Sequence, residues 1–393
     1  MTINNEHKKL NVPNLRFPEF QGEWEKNTLG DISEFSKDRL NSKELSCDNY
    51  VATENMLQDY QGIVAASKIP SSTNVIKFSK GNVLLSNIRP YLKKVWYADR
   101  DGGCSADVFV FKALAVCNSD FLHYIIANDK FINFAMGGAK GVKMPRGDKE
   151  QMKTYRIGLP SKKEQRKIAD LLHLLDERIA TQNKIIDKLQ SLIKGINQRV
   201  FKNSGNNYKL GEICEIRSGY SGSQLLSKKG LKVSRIETIS GHKVNMERVG
   251  YVAPFESSEN YRLRVGDILF SNINSVEYIG NTAFIDKDYD LYHGMNLLRL
   301  TPNHMVVIPF YLYLLLNTNR MLNRFKTICN KAVSQASINQ TELGKTVVQI
   351  PPINTQEQIC ELYQALYTKL ETESHTKSLF QNQKQYLLRQ MFI

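Results

Sequence analysis

The sequence predicts an α+β protein made of two tandem domains of mixed helices and strands, separated by two long antiparallel coiled-coil helices. Three observations predict this fold class: an internal duplication over most of the 393 residues, short strand-like runs in the first part of each copy, and a heptad pattern in the last part. An apolar content of 41% is ordinary for a globular protein, so wholesale disorder is excluded.

The duplication appears as three pairs of segments in the same order. Residues 29–32 read Leu-Gly-Asp-Ile and residues 210–213 read Leu-Gly-Glu-Ile. Residues 81–88 read Gly-Asn-Val-Leu-Leu-Ser-Asn-Ile and residues 266–273 read Gly-Asp-Ile-Leu-Phe-Ser-Asn-Ile. Residues 120–201 then align with 311–392 at a constant offset of 191, which places Pro160 opposite Pro351 and Gln165 opposite Gln356. One unit is therefore used twice, and it is longer than a solenoid repeat.

Each copy consists of a mixed domain followed by a helix. The predicted boundaries are 1–160 and 203–351 for the mixed domains, and 161–202 and 352–393 for the helices. Short apolar runs predict strands at 82–85, 108–111, 155–159, 267–270, 296–300 and 346–350. One helix is expected before a basic loop in each domain, at 121–134 and at 309–325.

A heptad pattern predicts the two long helices. Ser161 is the expected N-cap of the first, with Glu164 completing a capping box, and Asn354 or Thr355 caps the second. The first apolar seam contains Leu172, Leu175, Ile179, Ile186, Leu189, Ile193, Ile196 and Val200, and the second contains Leu366, Leu370, Phe380, Leu387 and Met391. The second seam also has Glu373, Lys377 and Lys384, so we expect that helix to need the first as an antiparallel partner. Core helices of two compact domains are the alternative.

The balance of charge points to a polyanionic partner. Lys and Arg number 53 against 39 Asp and Glu, a formal net charge of +14, and the surplus is spread over both mixed domains and the first helix. Such a surplus most often accompanies nucleic acid, although a basic protein without such a partner is the alternative. The scattered cysteines fit a reducing cytoplasm, and we expect no membrane span.

Catalytic and metal-binding patterns are missing from the sequence. We find no phosphate-binding Gly-x-x-x-x-Gly-Lys-Ser/Thr loop, no nucleophile elbow, no His-Glu-x-x-His and no Cys-x-x-Cys. The glycine-rich run 137–141 does not fit a dinucleotide fingerprint and is interpreted as a basic loop. We therefore expect no catalytic residue, no metal site and no cofactor in this chain.

Several motifs together indicate a family. Asn-Val-Pro-Asn-Leu-Arg-Phe-Pro at 11–18 is followed by Gly-Glu-Trp at 22–24 and by Ser-Asn-Ile-Arg-Pro-Tyr-Leu-Lys-Lys at 86–94. The junctions Gly-Leu-Pro-Ser-Lys-Lys-Glu-Gln-Arg-Lys-Ile at 158–168 and Ile-Pro-Pro-Ile-Asn-Thr-Gln-Glu-Gln-Ile at 350–359 match one another. With these motifs the whole chain resembles the specificity subunits of type I restriction–modification enzymes.

The resemblance implies a function and a set of partners. Two target recognition domains would each read one half of a bipartite, asymmetric site in double-stranded DNA, and the helices would set the gap between the half-sites. The helices would also dock two modification subunits, which use S-adenosylmethionine to methylate adenine at N6. Two restriction subunits would use ATP and Mg²⁺ to translocate and cut the DNA in phage defence. The chain itself would be non-catalytic.

Acid-poor, glycine-punctuated loops are the expected DNA contacts. In the first domain they supply Arg89, Tyr91, Lys93, Lys94, Lys140, Lys143 and Arg146, and in the second Arg217, Tyr220, Asn274, Lys331, Ser334, Gln335 and Ser337. Asn274 stands where the first copy has Arg89, so the arginine contact does not carry over. A stand-alone DNA-modifying enzyme and a coiled-coil scaffold without a DNA role are the competing interpretations.

Overall fold

The computed structural model describes residues 11–139, 141, 143–201, 205–331 and 335–393. The chain divides into two compact units: unit 1 comprises Met1–Lys184 with Ser374–Ile393, and unit 2 comprises Ile185–Glu373. Each long helix is therefore shared between the two units. Among the described residues, no helix combines the length and the apolar character needed to span a membrane.

Unit 1 contains the first mixed domain. Its strands are β1 (Glu25–Thr28), β2 (Ser33–Phe35), β3 (Arg39–Asn41), β4 (Tyr50–Val51), β5 (Asn74–Phe78), β6 (Val83–Ser86), β7 (Val95–Tyr97), β8 (Gly102–Cys104), β9 (Val108–Ala113) and β10 (Arg156–Leu159). Its helices are α1 (Leu29–Ile32), α2 (Ser119–Ile126), α3 (Asp129–Gly137), α4 (Lys149–Lys153) and the start of α5 (Lys162–Val200), with 3₁₀ turns at Ser42–Glu44 and Pro90–Leu92.

Unit 2 contains the second mixed domain. Its strands are β11 (Asn206–Lys209), β12 (Cys214–Ser218), β13 (Leu231–Val233), β14 (Gly250–Val252), β15 (Ile268–Ser271), β16 (Ile273–Asn274), β17 (Thr282–Phe284), β18 (Leu297–Pro302), β19 (Asn330–Lys331), β20 (Ala336–Ser337) and β21 (Val347–Ile350). Its helices are α6 (Leu210–Ile213), α7 (Pro309–Leu316), α8 (Asn319–Ile328), α9 (Gln340–Gly344) and the start of α10 (Ile353–Gln390), with 3₁₀ turns at Ile236–Ile239, Met246–Arg248 and Ser258–Tyr261.

The two units share one sheet topology. Unit 1 has a four-stranded antiparallel sheet in the order β2-β9-β6-β7, and unit 2 has β12-β18-β15-β17, which are the corresponding strands. Each unit also pairs its first strand with its last, β1 with β10 and β11 with β21. The units differ in the accessory strands, since unit 1 adds the sheet β3-β5-β8-β4 whereas unit 2 adds the small sheets β13-β14 and β16-β20-β19. The four-stranded sheet and the pairing of the first strand with the last are therefore duplicated, whereas the accessory strands are not.

A buried glutamine at the start of each long helix ties that helix to its mixed domain. Gln165 Oε1 accepts from Asn118 N at 2.8 Å, and its Nε2 donates to the carbonyls of Val116 and Pro160 at 3.1 and 2.9 Å. In unit 2, the Gln356 side chain makes the corresponding three bonds, to Ile308 N and to the carbonyls of Val306 and Pro351, at 2.8, 3.1 and 2.8 Å. Both glutamines are at most 1% exposed. The structure thus repeats the clamp, hydrogen bond for hydrogen bond.

Each half of the predicted helix pair packs inside one unit. In unit 1, Lys384 binds Asp176, and the Phe380 ring lies 6.0 Å from the Arg178 guanidinium. Residue numbers in α10 therefore fall as those in α5 rise, so the two helices run antiparallel. In unit 2, Tyr363 hydrogen-bonds to Asn197. Every seam residue predicted from the heptads is buried or half-buried. Two of the charged seam residues of α10 form ion pairs, Lys384 with Asp176 and Glu373 with Lys369.

The single helices predicted at 121–134 and 309–325 are wrong, because each is two helices. The side chain of Asn128 accepts a hydrogen bond from Lys130 N at 2.9 Å and starts α3, while Thr318 Oγ1 accepts from Met321 N at 3.4 Å and starts α8. A capping side chain in mid-segment competes with the helical backbone bonds and allows the chain to turn there.

The predicted caps of the long helices are also partly wrong. Ser161 does accept from Glu164 N at 3.4 Å, but the Glu164 carboxylate binds Arg16 at 2.7 Å and Trp24 Nε1 at 3.2 Å instead of closing a capping box. The helix α10 begins at Ile353, ahead of the predicted caps Asn354 and Thr355. The rigid φ of a preceding proline is compatible with this early start.

Replacing Gln356 by Leu tests the clamp. The substitution removes the partner of the buried Pro351 carbonyl and of the partly buried Ile308 N–H and Val306 carbonyl, at a cost of about 1–3 kcal/mol for the buried group and less for each of the others. We expect the midpoint of thermal unfolding to fall by several degrees for Gln356→Leu and to change little for the control Gln358→Leu, which alters an exposed residue of the same helix. Equal midpoints, measured by calorimetry, would contradict a clamping role.

Candidate DNA interface

The predicted contact segments leave the central sheet at one edge in each unit. In unit 1, β2 and β6 are both antiparallel to β9, so their ends lie together beside the start of β9. In unit 2, β12 and β15 flank β18 in the same way. We call this edge, defined by the ends of β6 and of β15, the exit edge.

Two predicted segments of unit 1 meet at its exit edge. Arg89 N donates to Pro145 O at 2.8 Å, and Gly147 N donates to Asn87 O at 3.2 Å. Between these bonds, Ile88 and Arg146 form a short antiparallel bridge. Residues 89–94 and 143–146, far apart in the sequence, are therefore one surface.

The turn that carries Arg89 has an unusual backbone. Arg89 and Lys93 have φ values of 51° and 53° and flank the 3₁₀ turn Pro90–Leu92. A residue with a Cβ in this left-handed region carries a strain of about 1–2 kcal/mol. Within the described part of the chain, Arg89 Nε is buried without a hydrogen-bond partner. The neighbouring Tyr91 is 47% exposed. The turn is thus held in a costly conformation that presents an aromatic side chain to solvent.

Two of the lysines are occupied within unit 1. Lys93 Nζ binds Asp129 Oδ1 at 2.9 Å and lies 5.9 Å from the Tyr60 ring, while Lys94 Nζ donates to Thr53 O at 2.6 Å. Burial raises the pKa of the Asp129 carboxyl, but the hydrogen bonds from Lys93 and Tyr60 outweigh it, so that this pKa lies below its ordinary value. These two lysines shape the turn as well as adding positive charge to it.

The cations of the second loop are more accessible. Lys143 is exposed, and Arg146 binds Asp107 at 3.2 Å through side chains that are both more than a third exposed. An exposed pair of this kind contributes little to stability, so Arg146 can exchange Asp107 for a phosphate at small cost. Lys140 lies outside the described residues.

The exit edge of unit 2 has the same join with different side chains. Ile273 and Asn274 in β16 pair with β20, which contains Ser337, and β20 pairs with β19, which contains Lys331. Asn274 Nδ2 donates to Ser271 Oγ at 3.0 Å and its Oδ1 accepts from Ser275 N at 2.8 Å. Lys331 and Gln335 are exposed and Ser337 is half-buried. Ser334 lies outside the described residues.

Arg217 and Tyr220 follow β12 to the same end of the sheet. Arg217 forms an exposed ion pair with Glu215 at 2.5 Å. The Tyr220 ring stacks on Phe255 with 3.9 Å between centroids and meets Tyr261 edge-on at 5.6 Å. Tyr220 is half-buried in this aromatic group, which the sequence reasoning did not find because its members are some 35 residues apart.

Lys149 is the last residue of the predicted basic loop but was not among the expected contact residues, and the structure makes it the first residue of α4. Its Nζ lies 5.2 Å from the ring centroids of both Phe35 and Phe109 at the exit edge. The only signal was its charge, since the rings come from β2 and β9. No group of three His, Cys, Asp or Glu side chains suited to a metal ion occurs within the described ranges.

A family model for the type I restriction modification DNA specificity domain matches the chain twice, over residues 21–191 and 204–379. The chain belongs to this family. It is 38% identical, over 188 residues, to a protein assigned as the MjaX type I restriction enzyme specificity subunit of Methanocaldococcus jannaschii. That match covers 47% of this chain and 44% of the relative, so the chain aligns with less than half of that protein's length.

Two solved structures share the fold. The S subunit of a type I restriction–modification system from M. genitalium gives a TM-score of 0.63 at 17% identity, covering 97% of this chain and 99% of that one. A chain from a study of complex assembly and conformational transition of the type I restriction–modification system gives a TM-score of 0.60 at 21% identity, covering 93% and 96%. These findings confirm the predicted family and the predicted fold class.

The strain at Arg89 predicts an inverted order of two substitutions in this specificity-domain chain. Because Arg89 has a positive φ, Arg89→Gly should be more stable than Arg89→Ala by about 1 kcal/mol. At Lys188, an exposed position within α5, the order should reverse by a similar amount, since glycine is a poor helix former. Chemical unfolding of the four variants measures both differences, and the same order at both positions would show that the turn is unstrained.

Proposed function

We propose that this chain is the DNA-reading subunit of a type I restriction–modification complex, in which each unit reads one half of a bipartite site. The duplicated exit edge carries this proposal. In unit 1 the loop after β6 contacts the loop before β10, and in unit 2 the segment after β15 contacts the segment before β21. A family model for DNA specificity domains covers each copy. Two copies of one reading frame suit a target in two parts.

The side chains at the two exit edges explain why the two half-sites should differ. Unit 1 offers Arg89, Lys143 and Arg146, whereas unit 2 offers Asn274 and Gln335 in the matching loops. Arginine favours guanine in the major groove, and amide side chains favour adenine. Lysines add salt-dependent affinity for phosphates without regard to sequence. Equal frames with unequal side chains therefore support an asymmetric target.

The long helices support a role in spacing and docking. At 1.5 Å per residue, α5 with its 39 residues extends for roughly 58 Å, enough to separate two groove contacts. In unit 1 the large apolar side chains of Leu174, Leu379 and Tyr386 are exposed on these helices, and in unit 2 those of Leu192 and Leu362 are exposed. We expect a docked partner subunit to cover some of these side chains.

The catalytic steps would belong to that partner assembly. In this proposal, two modification subunits hold S-adenosylmethionine and methylate adenine, and two restriction subunits use ATP and Mg²⁺ to move and cut DNA in the cytoplasm. One of the similar chains was solved in a study of the assembly of such a system. The present chain would select the DNA sequence and would take no part in catalysis.

Removing the two accessible cations of unit 1 tests the reading edge. Lys143→Ala with Arg146→Ala should weaken binding of the assembled complex to its target duplex and reduce the slope of log K against log salt by about 1 for each lost phosphate contact. If Arg146 reads a base, one position of the methylated sequence should also relax, at about 1–3 kcal/mol. Lys26→Ala is the control, since Lys26 is an exposed residue of β1. Unchanged affinity and methylated sequence would sink this assignment of the loop.

An insertion in α5 tests the spacer. Four residues added after Ile186 lengthen the helix by about one turn, so the preferred gap between the half-sites should grow, or binding should be lost. Single-molecule methylome sequencing of cells that carry the variant and its partner subunits measures the gap. Methylation with the original gap would show that α5 does not set it.

A further inference from the structure

A polar group joins the two long helices in unit 1. Asp176 of α5 accepts hydrogen bonds from Tyr124 Oη at 2.9 Å and from Lys384 Nζ of α10 at 2.5 Å. The Lys384 side chain is only 12% exposed, and its ammonium group lies 5.4 Å from the Tyr124 ring centroid. Burial, together with the nearby Asp176 carboxylate, raises the pKa of the Tyr124 hydroxyl, which therefore stays protonated as a donor. A charged pair thus sits at the centre of the unit 1 seam.

The same place in unit 2 is apolar. Along the long helices the repeat offset is 191 residues, so Asp176 and Lys384 correspond to Tyr367 and Ile193. Between α2 and α7 the offset is 190 residues, so Tyr124 corresponds to Leu314. Leu314 and Ile193 are buried in the core of unit 2, and Tyr367 packs against that core. The two clamps fix both offsets, because they bond to Pro160 and Pro351 and to Asn118 and Ile308.

This difference distinguishes the possible helix pairings. When α5 pairs with α10 of its own chain, Asp176 meets Lys384 and the corresponding unit 2 contact is apolar. Two α5 helices from different chains, packed in the same antiparallel way, would place Asp176 against Ile193. Two α10 helices would place Lys384 against Tyr367. Both like pairings leave a charge in the seam without its partner.

We propose that Asp176, Lys384 and Tyr124 specify pairing of the two unlike helices within one chain and oppose pairing of like helices between chains. The duplication creates the need, since it gives both helices similar seams. The inference goes beyond the proposed reading of DNA and does not depend on it. The Lys384 side chain is 12% exposed and that of Asp176 is 34% exposed, and a largely buried charge that loses its partner destabilises a helix pair by more than a good ion pair stabilises it. A polar residue at one seam position is a known way to fix partner and register.

The titratable groups around Lys384 and Asp176 do not change the opposite charges of these two side chains. Burial, together with nearby Lys384, lowers the pKa of His123, which neighbours Tyr124, to about 4, so His123 is neutral at pH 7. Asp120 and His173 also face this group. Lys384 therefore depends on Asp176 for its close ion pair, and substitution at either position exposes the other charge to an apolar seam.

The first test makes unit 1 resemble unit 2. The full-length chain with Tyr124→Leu, Asp176→Tyr and Lys384→Ile has the apolar triad that unit 2 already accommodates. Two differently tagged copies are expressed in the same cell, and one tag is purified. We expect the variant to carry on the order of tenfold more of the second tag than the wild type does, because the penalty on like pairing has gone.

The control for this test is the chain with Asp187→Tyr and Lys188→Ile. Both residues are exposed on α5, so these substitutions add similar apolar surface without altering the charged seam. Copurification at the control level by a folded triple variant would overturn the proposal, and so would free exchange between wild-type copies. Circular dichroism and thermal unfolding establish whether each variant is folded.

Charge reversal gives an independent result if the triple variant fails to fold. Asp176→Lys and Lys384→Asp should each lower the unfolding midpoint of the full chain, and the double variant should recover most of the loss. The coupling should correspond to about a tenfold change in the unfolding equilibrium. A double variant no more stable than the sum of the two single effects would show that the pair is not coupled, and the proposal would fall.

Discussion

The buried clamp formed by Gln165 in unit 1 and by Gln356 in unit 2 is the interaction on which the rest of the structure depends. Each glutamine bonds to the strand end that precedes its long helix and to the loop that precedes α2 or α7. Because all three bonds are to backbone groups, the clamp survives while the surrounding side chains change. It holds each sheet in a fixed orientation on its own part of the helix pair. A recognition surface on a sheet edge can discriminate between ligands only if the structure that supports it is rigid.

The two units resemble and differ from one another along that division. The clamp, the four-stranded order and the pairing of first with last strand are the same in both, while the accessory strands and the loops at the exit edge differ. A fixed scaffold with variable loops is a general way to change specificity at little cost in stability. The two units also differ in their helix seams, since only the seam of unit 1 contains the Asp176–Lys384 ion pair. A duplicated chain needs the same scaffold twice so that both units fold, and it needs different loops and seams so that the two units can be distinguished.

Local patterns predicted much of this fold, because heptads, short apolar runs and turn residues report on neighbours close in sequence. The seam residues from Leu172 to Met391 were found in this way. Side chains with alternative partners were not predictable. Glu164 was assigned to a capping box, but Arg16 and Trp24 compete for its carboxylate from over a hundred residues away. At the exit edge, acid-poor windows located the basic loops correctly, yet the acids that occupy Lys93 and Arg146 come from other segments. Tertiary pairing decided those cases, and no window reveals it.

The composition of unit 1 from two separate stretches of chain has a consequence for biosynthesis. Its core contains Leu387, Leu388, Met391 and Phe392, which the ribosome makes only after the whole of unit 2. Unit 2 is continuous and can fold while the last helix is still being made, since domains fold as units during synthesis. Unit 1 must wait with an open apolar face until residues 374–393 arrive. A chain interrupted near its end would therefore keep one folded unit and one exposed core, a state that chaperones and proteases recognise. The core of unit 1 is therefore completed only after both units have been translated.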